Sequence, residues 1–216
     1  MEYFYHYTTL KNWKKIQKEG LQPYRAIDDL NTKELPALAH KPAIFGLASA
    51  APESWLSYPC MQETSRPISI LEAVLRHIYD RETNGTHQPE TLVLLKIRLL
   101  SGDDVRIGDY DQIMQRVAGS FDDPSTYQRV MTNYCKSVKK LRDKFNVAAA
   151  KKLPEVLCFN AIPAHRIEIV DKIPSATLDK ISAYIDKKIK SNKAAAKPAN
   201  HSLPAASATR PKRSAP

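Results

Sequence analysis

Hydrophobic residues recur along this chain at two spacings, and the points where one gives way to the other mark its elements. Tyr3–Tyr7 is an aromatic, strand-like run. After it Leu10, Trp13 and Ile16 form an apolar stripe with lysines on the other side, which predicts an amphipathic helix. Thr8 or Thr9 can cap that helix by accepting from a free backbone N–H, and Gly20 supplies a left-handed stop on which Leu21 can fold back. Ser69-Ile70-Leu71-Glu72 matches a capping box, and Leu71, Val74, Leu75, Ile78 and Tyr79 continue at helical spacing. Thr91–Leu100 reads as the central strand. Its first half is apolar on both faces; Lys96 and Arg98 then point away from the Val93, Leu95, Ile97 and Leu99 face.

Further on, Gly102-Asp103-Asp104 is a turn and Val105-Arg106-Ile107 a short returning strand. Asp123-Pro124 opens the longest expected helix, its stripe running through Tyr127, Val130, Met131, Tyr134, Val138, Leu141 and Phe145. Glu155–Phe159 and Arg166–Val170 are two more strands around Ile162-Pro163, and Ser175–Ile189 is a last amphipathic helix through Leu178, Ile181 and Ile185. The proline-rich stretch 22–67 reads as ordered loops over the core, with a short buried strand at Ala43–Leu47. Strands and helices are interspersed without regular βαβ alternation, which predicts an α+β domain. That domain spans residues 1–190, and residues 191–216, rich in Ala, Pro, Ser and Lys, are expected to be a disordered basic tail.

Charge sharpens this division. The 216 residues carry a formal net charge of +10, from 33 Lys+Arg against 23 Asp+Glu. No acidic residue follows Asp186, whereas eight basic ones do; the remaining 25 basic and 23 acidic residues leave residues 1–186 at +2. The basic character belongs to the tail, so the folded part shows little of a nucleic-acid footprint. Three widely spaced cysteines, an odd number, favour a reducing compartment and form no C-x-x-C pair. The N-terminus lacks the pattern of a signal peptide and no stretch approaches the ~20 apolar residues of a membrane span, so a soluble, cytoplasmic protein is expected.

Much chemistry is missing. The chain contains neither G-x-G-x-x-G nor G-x-x-x-x-G-K-[ST], no H-E-x-x-H, no G-x-S-x-G and no EF-hand loop, and its histidines show no metal-ligand spacing. What remains is a pair of segments. One is Tyr5-His6-Tyr7-Thr8-Thr9-Leu10, followed by Trp13, Ile16 and Gly20-Leu21; the other is Leu153-Pro154-Glu155-Val156-Leu157, followed by Ile162-Pro163 and Arg166-Ile167. Together they resemble the ADP-ribosyltransferase superfamily, in its branches with a Y-H-x-T opening, which include the DarT-like toxins and bacterial toxin and effector families. The resemblance covers residues 1–30 and 150–172, and the middle only by order of elements.

That resemblance implies a split mixed sheet around an open cleft and mono-ADP-ribosyl transfer from NAD to a protein or nucleic-acid target. NAD would be the substrate and no metal would be needed. The protein would act in the cytoplasm, or in a host cell after delivery as an effector. Glu155 would be catalytic, and His6, Tyr7 and Thr8 would hold the cofactor. Phe45, just before Gly46, would contact nicotinamide, with Tyr58 as its substitute. Lys151 and Lys152, in the loop before Glu155, would touch the acceptor. The chemistry is coherent. Breaking the nicotinamide–ribose bond leaves an oxocarbenium-like sugar, which a fixed carboxylate stabilises as in glycosidases. His6 and Glu155 should therefore face one cleft from nearby strands, within ~10 Å.

Each of these residues also has a plainer reading. His6 could be a structural histidine satisfied by a backbone carbonyl, Glu155 an exposed edge charge, Phe45 simple core, and the lysines a solvated face. Two other functions remain open: RNA 2′-phosphotransfer, whose additional Arg and His motifs are not found, and a non-catalytic binding module whose basic tail engages an anionic partner.

Overall fold

A computed structural model of the chain describes residues 1–24, 36–62, 67–86, 88–114, 124–141 and 151–195. Strand β1 (Tyr3–Thr9) runs directly into helix α1 (Leu10–Glu19). Thr9 is the cap, its hydroxyl accepting from Asn12 N–H at 3.1 Å, and Gly20 closes the helix with φ 74° and its N–H on Ile16 O. Leu21, buried in the same apolar cluster as Ile16 of α1, also bridges to Ile162. After a 3-10 turn at Ala37–His40 come β2 (Ile44–Leu47), α2 (Glu53–Ser57), and the hairpin of β3 (Pro59–Gln62) and β4 (Pro67–Ser69). Helix α3 (Ile70–Thr83) starts at Ser69, whose Oγ accepts from Glu72 N–H at 3.3 Å. The Glu72 carboxylate is buried and bonded to Arg76 and Ser182. β5 (Glu90–Arg98), β6 (Val105–Asp109) and α4 (Asp111–Met114) follow. α5 (Pro124–Ser137), β7 (Lys139–Lys140), β8 (Pro154–Cys158), β9 (Ile167–Ala176) and α6 (Leu178–Ala195) complete the described chain.

Seven strands form one sheet in the order β7-β6-β8-β2-β1-β5-β9, and its pairings are antiparallel. This is α+β, but not the expected mixed sheet, because the loops and helices between neighbouring strands return the chain in the opposite direction. β5 sits one place from the edge rather than at the centre. α5 is not the longest helix: it stops at Ser137, Val138 and Leu141 lie beyond it, and Phe145 lies outside the described residues. The edge strand β9 runs past Val170 through Pro174, a residue tolerated where one side of the ladder is unpaired. α6 continues past the expected boundary at 190, and Asn192 Nδ2 donates to Ala51 O at 3.1 Å. The rest of the basic tail, from residue 196, lies outside the described residues.

Alternation along the strands separates two cores. Phe4, Ile44, Val93, Leu95, Ile97, Ile107 and Val156 pack on the face covered by α1. Tyr7, Leu47, Leu92 and Leu94 face the opposite way, against α2, α3 and α6. Farther along that second face, α5 lays Met131 and Tyr134 over Leu157 and Ala43. A hollow remains between α5 and α3, floored by the middle of the sheet. No helix among the described residues is long and apolar enough to cross a membrane.

Candidate active site

The hollow is a cavity of about 720 Å³, the size of a small-molecule site. Its floor carries Tyr5 and Tyr7 from β1, Phe45 and Leu47 from β2, and Glu155 and Leu157 from β8. Register explains the grouping. Tyr5 is opposite Leu47, and Leu47 is opposite Glu155, so these side chains share one face. β1 and β8 are separated by β2 alone, which puts their backbones ~10 Å apart.

His6 reaches the same cavity by another route. Alternation along β1 groups it with Phe4 and Thr8 rather than with Tyr5 and Tyr7. However, β1 and β2 are registered at a single pair, Tyr5↔Leu47, among the described residues, and His6 is among the residues that line the cavity. Its Nδ1 is 2.8 Å from Phe45 O. A carbonyl only accepts, so Nδ1 carries the proton. Burial lowers the pKa of His6, which keeps the ring neutral and leaves Nε2 as an acceptor. The structural role foreseen for a histidine here is thus real, and it sets the tautomer that a hydroxyl-bearing ligand would meet.

Glu155 is 7% exposed, not an edge charge, because β2 and β6 flank its strand on both sides. Burial raises its pKa to about 7, against a hydrogen bond from the Tyr134 hydroxyl to Oε2 that favours the charged form. Oε1 has no hydrogen-bond partner among the described residues. The β8 backbone is held by Trp55, whose Nε1 donates to Pro154 O at 3.1 Å, and by Tyr110 N–H on Leu153 O at 2.9 Å. Trp55 and Tyr110 stack with ring centroids 5.4 Å apart, and Tyr24 meets Phe45 edge-on at 5.6 Å. The far wall is α3, which presents Val74, His77, Ile78 and Arg81. The cavity thus combines aromatic surfaces, two acceptors and a few cationic groups.

The remaining sequence candidates fall unevenly. Thr8 is buried and lines the cavity, as does Tyr7, whose hydroxyl is 3.1 Å from that of Tyr184. Phe45 is both carbonyl partner and wall. Tyr58 lies outside the lining, donating to the buried Asp111 at 2.7 Å. Lys151 and Lys152 do not line the cavity either. Lys151 Nζ donates to Ser137 O at 2.7 Å, satisfying the end of α5, and Lys152, 70% exposed, is 3.4 Å from Asp111. Sequence reasoning takes Tyr134 as one residue of a helix stripe and does not single out Trp55, Tyr110 or Arg81. No spacing announces them, since each is brought in by tertiary packing. The chain matches no family model, no curated protein and no solved structure.

Proposed function

We propose that this protein is an NAD-dependent mono-ADP-ribosyltransferase that modifies a macromolecular acceptor, protein or nucleic acid. The observation that carries this reading is the buried carboxyl of Glu155, with one oxygen held by Tyr134 and the other unengaged, in the cavity that His6 also lines. In the reaction the ribose–nicotinamide bond breaks, its electron pair leaves with nicotinamide, and the acceptor nucleophile attacks the anomeric carbon of the oxocarbenium-like sugar and releases its proton to solvent. Ionised Glu155 stabilises that cation and accepts from a ribose hydroxyl. A carboxyl with a pKa of about 7 is only half ionised at neutral pH, but the positive charge of bound nicotinamide favours its anionic form. His6 Nε2 is suited to accept from another ribose hydroxyl, and the aromatic walls offer stacking surfaces for the nicotinamide.

The test is incubation of the full chain with NAD labelled on the adenylate phosphate, with and without a cell extract as acceptor. Free nicotinamide together with label on a macromolecule is the expected result. An intact NAD pool, with no nicotinamide released, overturns the assignment.

A further inference from the structure

We infer that Tyr134 is a positioning residue for Glu155: its hydroxyl holds Oε2, from a seat left open by Gly108, so that Oε1 is presented to the ribose of the substrate. This rests on the ADP-ribosyl transfer proposed above. The seat is visible in the register. Gly108 on β6 lies directly opposite Glu155 on β8. A Cβ at position 108 would stand 2.9 Å from the Tyr134 hydroxyl oxygen, closer than real Cβ atoms come, and 3.0 Å from its ring, tighter than nearly all real Cβ contacts. The side chain that glycine lacks is the space the phenol fills.

The helix end carrying Tyr134 is tethered to the strands that frame Glu155. Ser137 Oγ donates to Tyr134 O at 2.7 Å and accepts from Asp109 N–H, next to Gly108 on β6, at 2.9 Å. Lys151, from the segment leading into β8, donates to Ser137 O at 2.7 Å. Asp109 also accepts from Leu153 N–H at 3.0 Å, two residues before Glu155. Around this frame Tyr134 is buried with Met131, Ala43 and Leu157, so its hydroxyl has little freedom to leave the carboxylate. A buried carboxyl without that donor would lose both its orientation and a hydrogen bond that favours the anion.

Burial above all, and then the charge of Glu155, raises the pKa values of the phenols Tyr24, Tyr110 and Tyr134, so none ionises before it. Burial also raises the thiols Cys60 and Cys135. The other titratable groups lining the cavity are His6, His77, Lys41 and Arg81, together with Tyr5 and Tyr7.

Tyr134→Phe in the full chain keeps the ring and removes the donor. Two readouts are needed. Titration of the Glu155 carboxyl by carbon-13 NMR should show its midpoint rising by about one pH unit. The pH limb of kcat/KM for NAD cleavage, which reports the free enzyme, should move with it, lowering kcat/KM at pH 7 by ~5-fold and recovering most of the loss at pH 9. A purely structural residue would not move that limb. Gly108→Ala, which crowds the phenol, should reproduce the upward midpoint. If either variant fails to fold, the wild-type Tyr134 hydroxyl proton is observed instead: a protected downfield resonance that moves as Glu155 titrates is expected. An unmoved midpoint in Tyr134→Phe, or a freely exchanging hydroxyl, overturns the inference. A midpoint that moves in a chain releasing no nicotinamide keeps the Tyr134–Glu155 contact but refutes its service to ADP-ribosyl transfer.

Discussion

Replacing Glu155 by Gln removes a charge that burial penalises, so the substitution should stabilise the fold at high pH while impairing the chemistry. The pKa of the carboxyl rises from 4.5 to about 7 on folding, and the dominant cause is desolvation. At ~1.4 kcal/mol per pH unit, that difference corresponds to about 3 kcal/mol. The sign follows from proton binding. Below about pH 4.5 the carboxyl is neutral in both states and imposes no penalty. Between there and about pH 7 the unfolded chain ionises first, so the wild type loses stability as pH rises, and above pH 7 the loss is complete. The amide introduced by Glu155→Gln does not titrate and can still accept from the Tyr134 hydroxyl. Urea unfolding of both proteins from pH 4 to pH 8 therefore gives a difference in ΔG that grows by up to about 3 kcal/mol in favour of Glu155→Gln and then levels off. Other titrating groups are common to both and cancel. A difference that stays flat across this range would refute the buried-carboxyl reasoning.

Other perturbations test other parts of the structure. Thr9→Ala removes the cap of α1 and should cost ~1 kcal/mol in urea unfolding. Gly46→Ala places a Cβ 2.5 Å from Tyr5 O and 2.7 Å from the Phe4 ring, so it should cost ~3 kcal/mol by the same assay, near the upper end for overpacking. His6→Ala removes an acceptor set by its bond to Phe45 O; calorimetry should show NAD affinity falling ~3- to 10-fold, with turnover falling as well.

The parts of the fold legible in the sequence are those where one local signal coincides with one packing surface. An aromatic run, a capping threonine and Gly20 mark β1 and α1, and Ser69 with a five-residue stripe marks α3. β8 is recognisable from its apolar run. Where several signals compete, the outcome depends on tertiary structure. The α5 stripe continues through Phe145 in the sequence, but the helix ends at Ser137 and the chain turns into β7 instead, and Lys151 satisfies Ser137 O at the helix end. β9 passes through Pro174, and only its edge position makes that acceptable. Asp111, the buried partner of Tyr58 and Lys152, has no sequence mark at all.

Legibility of the site divides in the same way. His6, Thr8, Phe45 and Glu155 stand out from two short segments and their surroundings, and all four line one cavity. The Tyr134–Glu155 hydrogen bond depends on which face each strand residue takes and on Gly108 lying opposite Glu155. That register is fixed only once β6 and β8 pair, so no reading of residues one by one could have found it.

Single-turnover release of nicotinamide, measured at pH 8 for wild type and Glu155→Gln with NAD affinity determined in parallel, bears most directly on the assignment. At that pH most of the wild-type carboxyl is ionised. Loss of its charge should slow release by ~10²-fold or more while leaving NAD affinity within a few-fold. Equal rates in the two proteins, or a wild-type chain that binds no NAD, would contradict it.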